Sequence, residues 1–148
     1  MTGGTYRLVL AQCTKAKRDE KSVAADLYDE SNYFRAQRSY ARTADKWAIQ
    51  SAKHQLLWPH KEVHPYDVTP DDIDDLDYWA YAIADEIEYA VSTDWVVEIL
   101  GGAKYADPLT PELESRGFEV HEPLRGLGIG ERMARLNELR NETLEGYA

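Results

Sequence analysis

Cysteine is almost missing from this chain of 148 residues: Cys13 stands alone. A single thiol forms no internal disulfide, and a cysteine-rich zinc site is excluded. Long apolar runs are missing as well. None approaches the roughly 20 residues that cross a bilayer, so no membrane partner is expected. Met1 to Thr5 carry neither the basic nor the apolar part of a secretory leader, and the expected location is cytoplasmic. Internal repeats, low-complexity tracts and linkers are also lacking. Positive charge is scarce, with 17 Lys and Arg against 27 Asp and Glu and a net charge of −10.

What is present suffices for a core. Hydrophobic residues make up 43% of the chain, and its length suits one domain spanning 1–148. The charge is unevenly spread. Residues 1–56 hold ten Lys and Arg against six Asp and Glu, residues 57–122 hold three against seventeen, and residues 123–148 hold four of each. Adaptation to a salty cytoplasm accounts for the acidic total. It does not account for positive charge gathering near the N-terminal half, which permits a basic face beside an acidic one.

Periodicities alternate along the chain. Tyr6 to Ala11 reads as a buried strand, Gln12 to Ser22 as a basic loop, and Val23 to Tyr28 as a short helix. Ser31 can cap a helix reaching about Ala44. Trp47 to Gln50 is a second strand, and the prolines and histidines of Gln55 to Val68 indicate an irregular loop. Thr69-Pro70-Asp71-Asp72 has the hydroxyl, proline and carboxylates of a helix start. Ile73, Leu76, Ala80, Ile83, Ile87 and Val91 then keep one face of an acidic helix over 71–92. Trp95 to Leu100 is a strand ending at Gly101-Gly102, Thr110-Pro111-Glu112 opens a helix that Gly117 stops, and Phe118 to His121 is a short strand. Ile129, Met133, Leu136 and Arg140 or Leu139 organise a last helix. Such alternation predicts an α/β fold: a single three-layer domain around a mainly parallel sheet.

Two apolar runs end in reactive groups. Cys13-Thr14-Lys15-Ala16-Lys17 follows the first, and Ser51-Ala52-Lys53-His54 the second. In open α/β sheets ligands sit at the carboxyl ends of the strands, so both segments are expected at one cleft. Cys13, beside two lysines that favour thiolate, is either a nucleophile or a small half-buried residue. Lys15, Lys17 and Lys53 suit phosphate, or else belong to solvated loops. No glycine elbow surrounds Ser51, so a hydrolase triad is not expected. His54 is either a general acid with a pKa near neutrality or a structural histidine. In Pro65-Tyr66-Asp67 a ring able to stack on a base adjoins a carboxylate able to steady positive charge; the alternative is a tyrosine packed on the next helix with Asp67 in a turn. His60 and His64 are separated by proline-bound loop, so helical zinc spacing does not apply and no metal is expected. Arg35, Arg38 and Arg42 fall on one helix side, as a phosphate grip or as a solvated, paired face. Gly126-Leu127-Gly128-Ile129-Gly130-Glu131 departs from the dinucleotide fingerprint; it could bind an anion or merely reverse the chain.

Taken together, these segments resemble small α/β domains related to the peroxide-stress protein YaaA and, more remotely, to the core domain of archaeosine synthase. The likeness rests on Cys13-Thr14-Lys15-Ala16-Lys17, Ala25-Asp26-Leu27-Tyr28 with Phe34, Ser51-Ala52-Lys53-His54 with Leu56 and Pro59, Pro65-Tyr66-Asp67, Pro123-Leu124 and Gly128-Ile129-Gly130-Glu131. Glycine would be expected at Gln55, and an aliphatic residue at Gln50. The resemblance implies a uracil-DNA-glycosylase-like fold and a role near nucleic acid or modified nucleobases, with no cofactor. The expectation is an enzyme directed at a nucleobase or nucleotide, cleaving a glycosidic bond or modifying the base; the alternative is a non-catalytic nucleotide or nucleic-acid binding module. His54, Asp67, Ser51 and Cys13 would be catalytic, and Lys15, Lys17, Lys53 and Tyr66 would bind phosphate or base. A protein partner could dock on the acidic helix 71–92, through Tyr78, Trp79, Tyr81 and Tyr89.

Overall fold

The structure is a computed structural model that describes residues 6–146; the expectation for Met1 to Thr5 lies outside them. Leu8, Val9, Leu10 and Ala11 are wholly buried, and a strand apolar on both faces belongs at the centre of a parallel sheet. It does lie there. Strand β1 (Tyr6–Gln12) has β3 (Lys46–Ser51) on one side and β6 (Trp95–Ile99) on the other, both parallel to it. Leu10 stands opposite Ala48 in β3 and Ile99 in β6. Strand β7 (Glu119–His121) adds in parallel beyond β6, and β4 (Gln55–Leu57) closes the opposite edge antiparallel to β3, giving the order β4-β3-β1-β6-β7. A separate two-stranded ribbon pairs β2 (Ser22–Val23) with β5 (Glu62–Val63).

Helices cover both faces. Val9 packs with Tyr40 and Ala41 of α2 (Asn32–Ala41) and Leu136 of α5 (Ile129–Glu145). Leu8 and Leu10 point the other way, toward Trp79 and Ile83 of α3 (Leu76–Ala90) and Tyr105 and Leu109 of α4 (Ala103–Ser115), with α1 (Ala24–Leu27) at one end. Removing each such leucine from water contributes roughly 1.5–3 kcal/mol. The chain is thus an α/β fold with a mostly parallel central sheet between two helical layers.

Several boundaries depart from expectation. The acidic helix does not run over 71–92. Thr69 and Asp72 cap each other around a 3-10 turn, Pro70–Asp72, and Ile73 is extended. A second start follows, where the Asp75 carboxylate accepts from the Tyr78 N–H and α3 begins. Trp79 is no surface residue: it is 2% exposed, and its indole N–H donates to the Ser51 carbonyl. Tyr78, Tyr81 and Tyr89 are exposed. Helix α4 starts at Ala103 rather than Thr110 and contains both Pro108 and Pro111. Its buried face, Tyr105, Ala106, Leu109 and Leu113, outweighs the cost of about 3 kcal/mol that proline carries in a helix interior. The stretch from Gln55 to Val68 holds two short strands, not only loop.

Candidate functional site

Strand β1 is the switch point of the sheet. The chain leaves it toward β3 on one side and reaches β6 on the other, and such divergence opens a crevice at the carboxyl ends of the strands. Gln12 holds the walls. Its backbone N–H donates to the Gln37 Oε1 at 2.7 Å and its carbonyl accepts from the Gln37 Nε2 at 3.1 Å, which ties β1 to α2. Its own Oε1 accepts from the Gly102 N–H at 2.9 Å, at the start of α4. Gly101, with φ +99°, turns the chain there, and a Cβ on it would stand 2.0 Å from that Gln12 oxygen.

The resulting cleft encloses about 280 Å³. Cys13, Thr14, Lys15 and Lys17 line it from the end of β1, and Asp67 to Pro70 from the loop before α3. Tyr33, Tyr105, Ile129 and Arg132 come from the starts of α2, α4 and α5. Lys15 and Asp67 are exposed and Cys13 is buried. The Cys13 sulfur lies 3.4 Å from the Tyr105 hydroxyl, whose pKa burial pushes far up, the charge of Cys13 adding to that; this phenol stays neutral.

Positive charge gathers at the cleft, free of the ion pairs that hold several arginines elsewhere. Arg7, Arg18, Arg116 and Arg125 each meet a carboxylate. Lys15, Lys17 and Arg132 form no ion pair among the described residues. The Arg132 guanidinium donates to the Leu127 carbonyl and to the Tyr33 hydroxyl, and lies over the Tyr33 ring. Lys17 donates to the Lys15 carbonyl, with its ammonium 4.5 Å from the centre of the Tyr66 ring. Burial pulls the Lys17 pKa down, while the charges of Cys13 and Asp67 oppose that shift.

The two expected strand ends part company. Ser51, Lys53, His54 and Tyr66 do not line the cleft. Ser51 is wholly buried. Its Oγ accepts from the His54 N–H at 3.0 Å and lies 2.8 Å from the Tyr66 hydroxyl, which also bonds the Tyr28 hydroxyl. Tyr66 therefore has its oxygen tied inward, one ring face under Lys17, and the His54 ring edge-on 5.2 Å away. Lys53 is exposed, 5.9 Å from the same ring. Burial and the neighbouring Lys53 and Lys61 lower the His54 pKa, so its imidazole is neutral near pH 7. Gln55 adopts φ +60°, the left-handed turn for which glycine was expected. Gln50, where an aliphatic residue was expected, is fully buried and donates to the Leu10 and Leu100 carbonyls.

Residue-by-residue reading missed Arg132, Tyr33 and Tyr105. Arg132 had a signal: a cation in the first turn of a helix runs against the usual preference for acids there. Tyr105 follows the carboxyl end of a third parallel strand and satisfied the same rule as Cys13. Arg38, on the helix side with Arg35 and Arg42, is engaged by the Ala25 carbonyl and by Asp26. Among the described residues no group of three or more histidine, cysteine or acidic side chains is placed to hold a metal ion, and no helix is long and apolar enough to cross a membrane.

Fold and cleft together define an α/β protein with a cationic pocket at the switch point of its sheet. The chain belongs to the family of unknown function DUF6884, whose model matches residues 8–138. No curated protein and no solved structure matches it.

Proposed function

We propose that the protein is a nucleobase- or nucleotide-directed enzyme, acting on a base or its glycosidic bond, whose ligand is held by phosphate in the cleft at the end of β1. One observation carries the reading: in a chain of net charge −10, Lys15, Lys17 and Arg132 gather around one hollow that holds a single carboxylate, Asp67. Bringing three cations together is unfavourable unless an anion joins them. Lys15, Lys17 and Arg132 hold the phosphate. Tyr33 offers its ring to a base, in place of Tyr66, while the buried Tyr105 backs the floor of the cleft. Asp67, on the rim, steadies positive charge developing on the sugar or orients water. His54 keeps its neighbours in position rather than donating a proton to the ligand. The likeness to YaaA-related domains, the uracil-DNA-glycosylase-like architecture and a cytoplasmic setting belong to this same reading.

Mass spectrometry of free bases and altered nucleosides, after incubation with cellular nucleic acids and nucleotides, tests it. A new product that vanishes with Asp67→Asn is expected. The alternative, a binding module, is favoured by the capture of Cys13 by Tyr105 and the withdrawal of His54 from the cleft. Ligand binding with no product after long incubation would establish that alternative.

A further inference from the structure

We infer that the cleft is built for the terminal phosphate of a free nucleotide, not for the internal phosphodiesters of a polynucleotide, and that Arg132 is the residue that selects it. The inference rests on the proposed phosphate site and specifies its ligand. Three features of the molecule lead to it.

The first is the placement of Arg132. A Cβ built on Gly102, the residue that caps the start of α4, would stand 3.3 Å from the Arg132 guanidinium. A helix start carries partial positive charge, so a guanidinium there is unfavourable by itself. The side chain is nonetheless held in place, through the Leu127 carbonyl at 2.8 Å and the Tyr33 hydroxyl at 3.3 Å. An arginine fastened beside a like charge, with N–H donors to spare, presents both to an anion in the cleft.

The second is charge balance. Lys15, Lys17 and Arg132 supply three positive charges to the cleft and Asp67 removes one. A diester contributes one negative charge per phosphate. A monoester carries about −1.5 to −2 near neutral pH, with three acceptor oxygens. The monoester matches the pocket.

The third is what surrounds it. A cleft of about 280 Å³ is small even for a ligand pocket and admits one nucleotide. Asp67, Asp71 and Asp72 are exposed where Thr69 and Pro70 form the rim. Asp71 is paired with Lys104 and Asp72 accepts from Thr69, but Asp67 has no ion pair among the described residues. A strand continuing past the rim therefore meets an uncompensated carboxylate there, whereas a single nucleotide ends before it.

Calorimetric titration of the full chain tests the inference with four probes: the four nucleoside 5′-monophosphates, the matching nucleosides, and a mixed-sequence decanucleotide with either a 5′-hydroxyl or a 5′-phosphate. At least one monophosphate should bind about ten-fold or more tightly than its nucleoside and than the 5′-hydroxyl decanucleotide, as expected for charge-assisted hydrogen bonds. Arg132→Gln should remove most of that advantage. Gly102→Ala, which pushes the guanidinium aside, should weaken monophosphate binding without lowering the melting temperature. Should Arg132→Gln fail to fold, Lys15→Ala, at an exposed position, must show the same loss. Tighter binding of either decanucleotide overturns the inference while leaving the nucleic-acid-directed reading standing. Equal binding of nucleoside and monophosphate, or no binding of any probe, overturns both.

Discussion

The segments that follow β1 and β3 look alike in sequence and end in opposite circumstances. After β1 the chain must travel to another strand, so Cys13 to Lys17 leave the sheet outward and line the cleft. After β3 the chain doubles back into β4, so Ser51 is sealed beneath the turn and His54 leans on Tyr66. A strand end that leads into a crossover is open to ligands; one that leads into a hairpin is closed by its own partner. Tyr66 and Asp67 show the division at single-residue scale. The tyrosine oxygen joins the buried hydroxyls of Ser51 and Tyr28, and the next residue faces the cleft.

Substitution can break this contrast. The largest effect is expected from Asp67→Asn: turnover should drop by about 10²- to 10⁴-fold with monophosphate affinity retained or raised, since a negative charge leaves the cleft, measured by product formation and by calorimetry. An undiminished rate would remove Asp67 from the chemistry. On the open side, Lys15→Ala combined with Lys17→Ala should weaken nucleotide binding by about ten-fold or more and leave urea unfolding nearly unaltered. On the closed side the order reverses. Ser51→Ala strips the His54 N–H and the Tyr66 hydroxyl of a partner, and should cost about 1–3 kcal/mol in urea unfolding with binding retained. If Ser51→Ala instead abolished binding in a stably folded protein, the two strand ends would share a site after all.

The smallest effect concerns pH. The folded pKa of His54 lies below its unfolded value of about 6.5, so the unfolded chain takes up the proton first as pH falls. The unfolded state then binds more protons than the native one, and stability declines on acidification below about pH 6.5 until the folded pKa is passed. His54→Gln should flatten that part of the profile of urea midpoint against pH. A slope identical to that of the natural chain would place the titration elsewhere.

Local patterns were legible where one interaction decided them. Ser31 caps α2, its Oγ accepting from the Phe34 N–H. Ala80, Ile83, Ile87 and Val91 are buried as their spacing implies. The alternation of strands and helices translated directly into a mostly parallel sheet. Illegible were the places where distant segments chose between local options. Thr110-Pro111-Glu112 has the chemistry of a helix start, but packing against α3 carries the helix through it. The β3–β4 hairpin lacks a glycine to announce it, because Gln55 itself takes the left-handed turn. In the site, Lys15, Lys17, Cys13 and Asp67 were identifiable from position relative to a strand or from neighbouring residue types. Whether Ser51 and His54 joined them depended on which way the chain turned after β3, and residue types alone do not reveal that. Arg132 came from 115 positions beyond Lys17, a distance that only the folded arrangement of α5 over α2 closes.

Gln12 has a mechanical consequence. One side chain and one peptide unit of this residue are bolted to α2 through Gln37 and to α4 through Gly102. Two of the helices that wall the cleft cannot spread without breaking those hydrogen bonds. The width of the opening is therefore set by the fold itself, and a ligand meets a mould whose shape need not be organised at the expense of affinity.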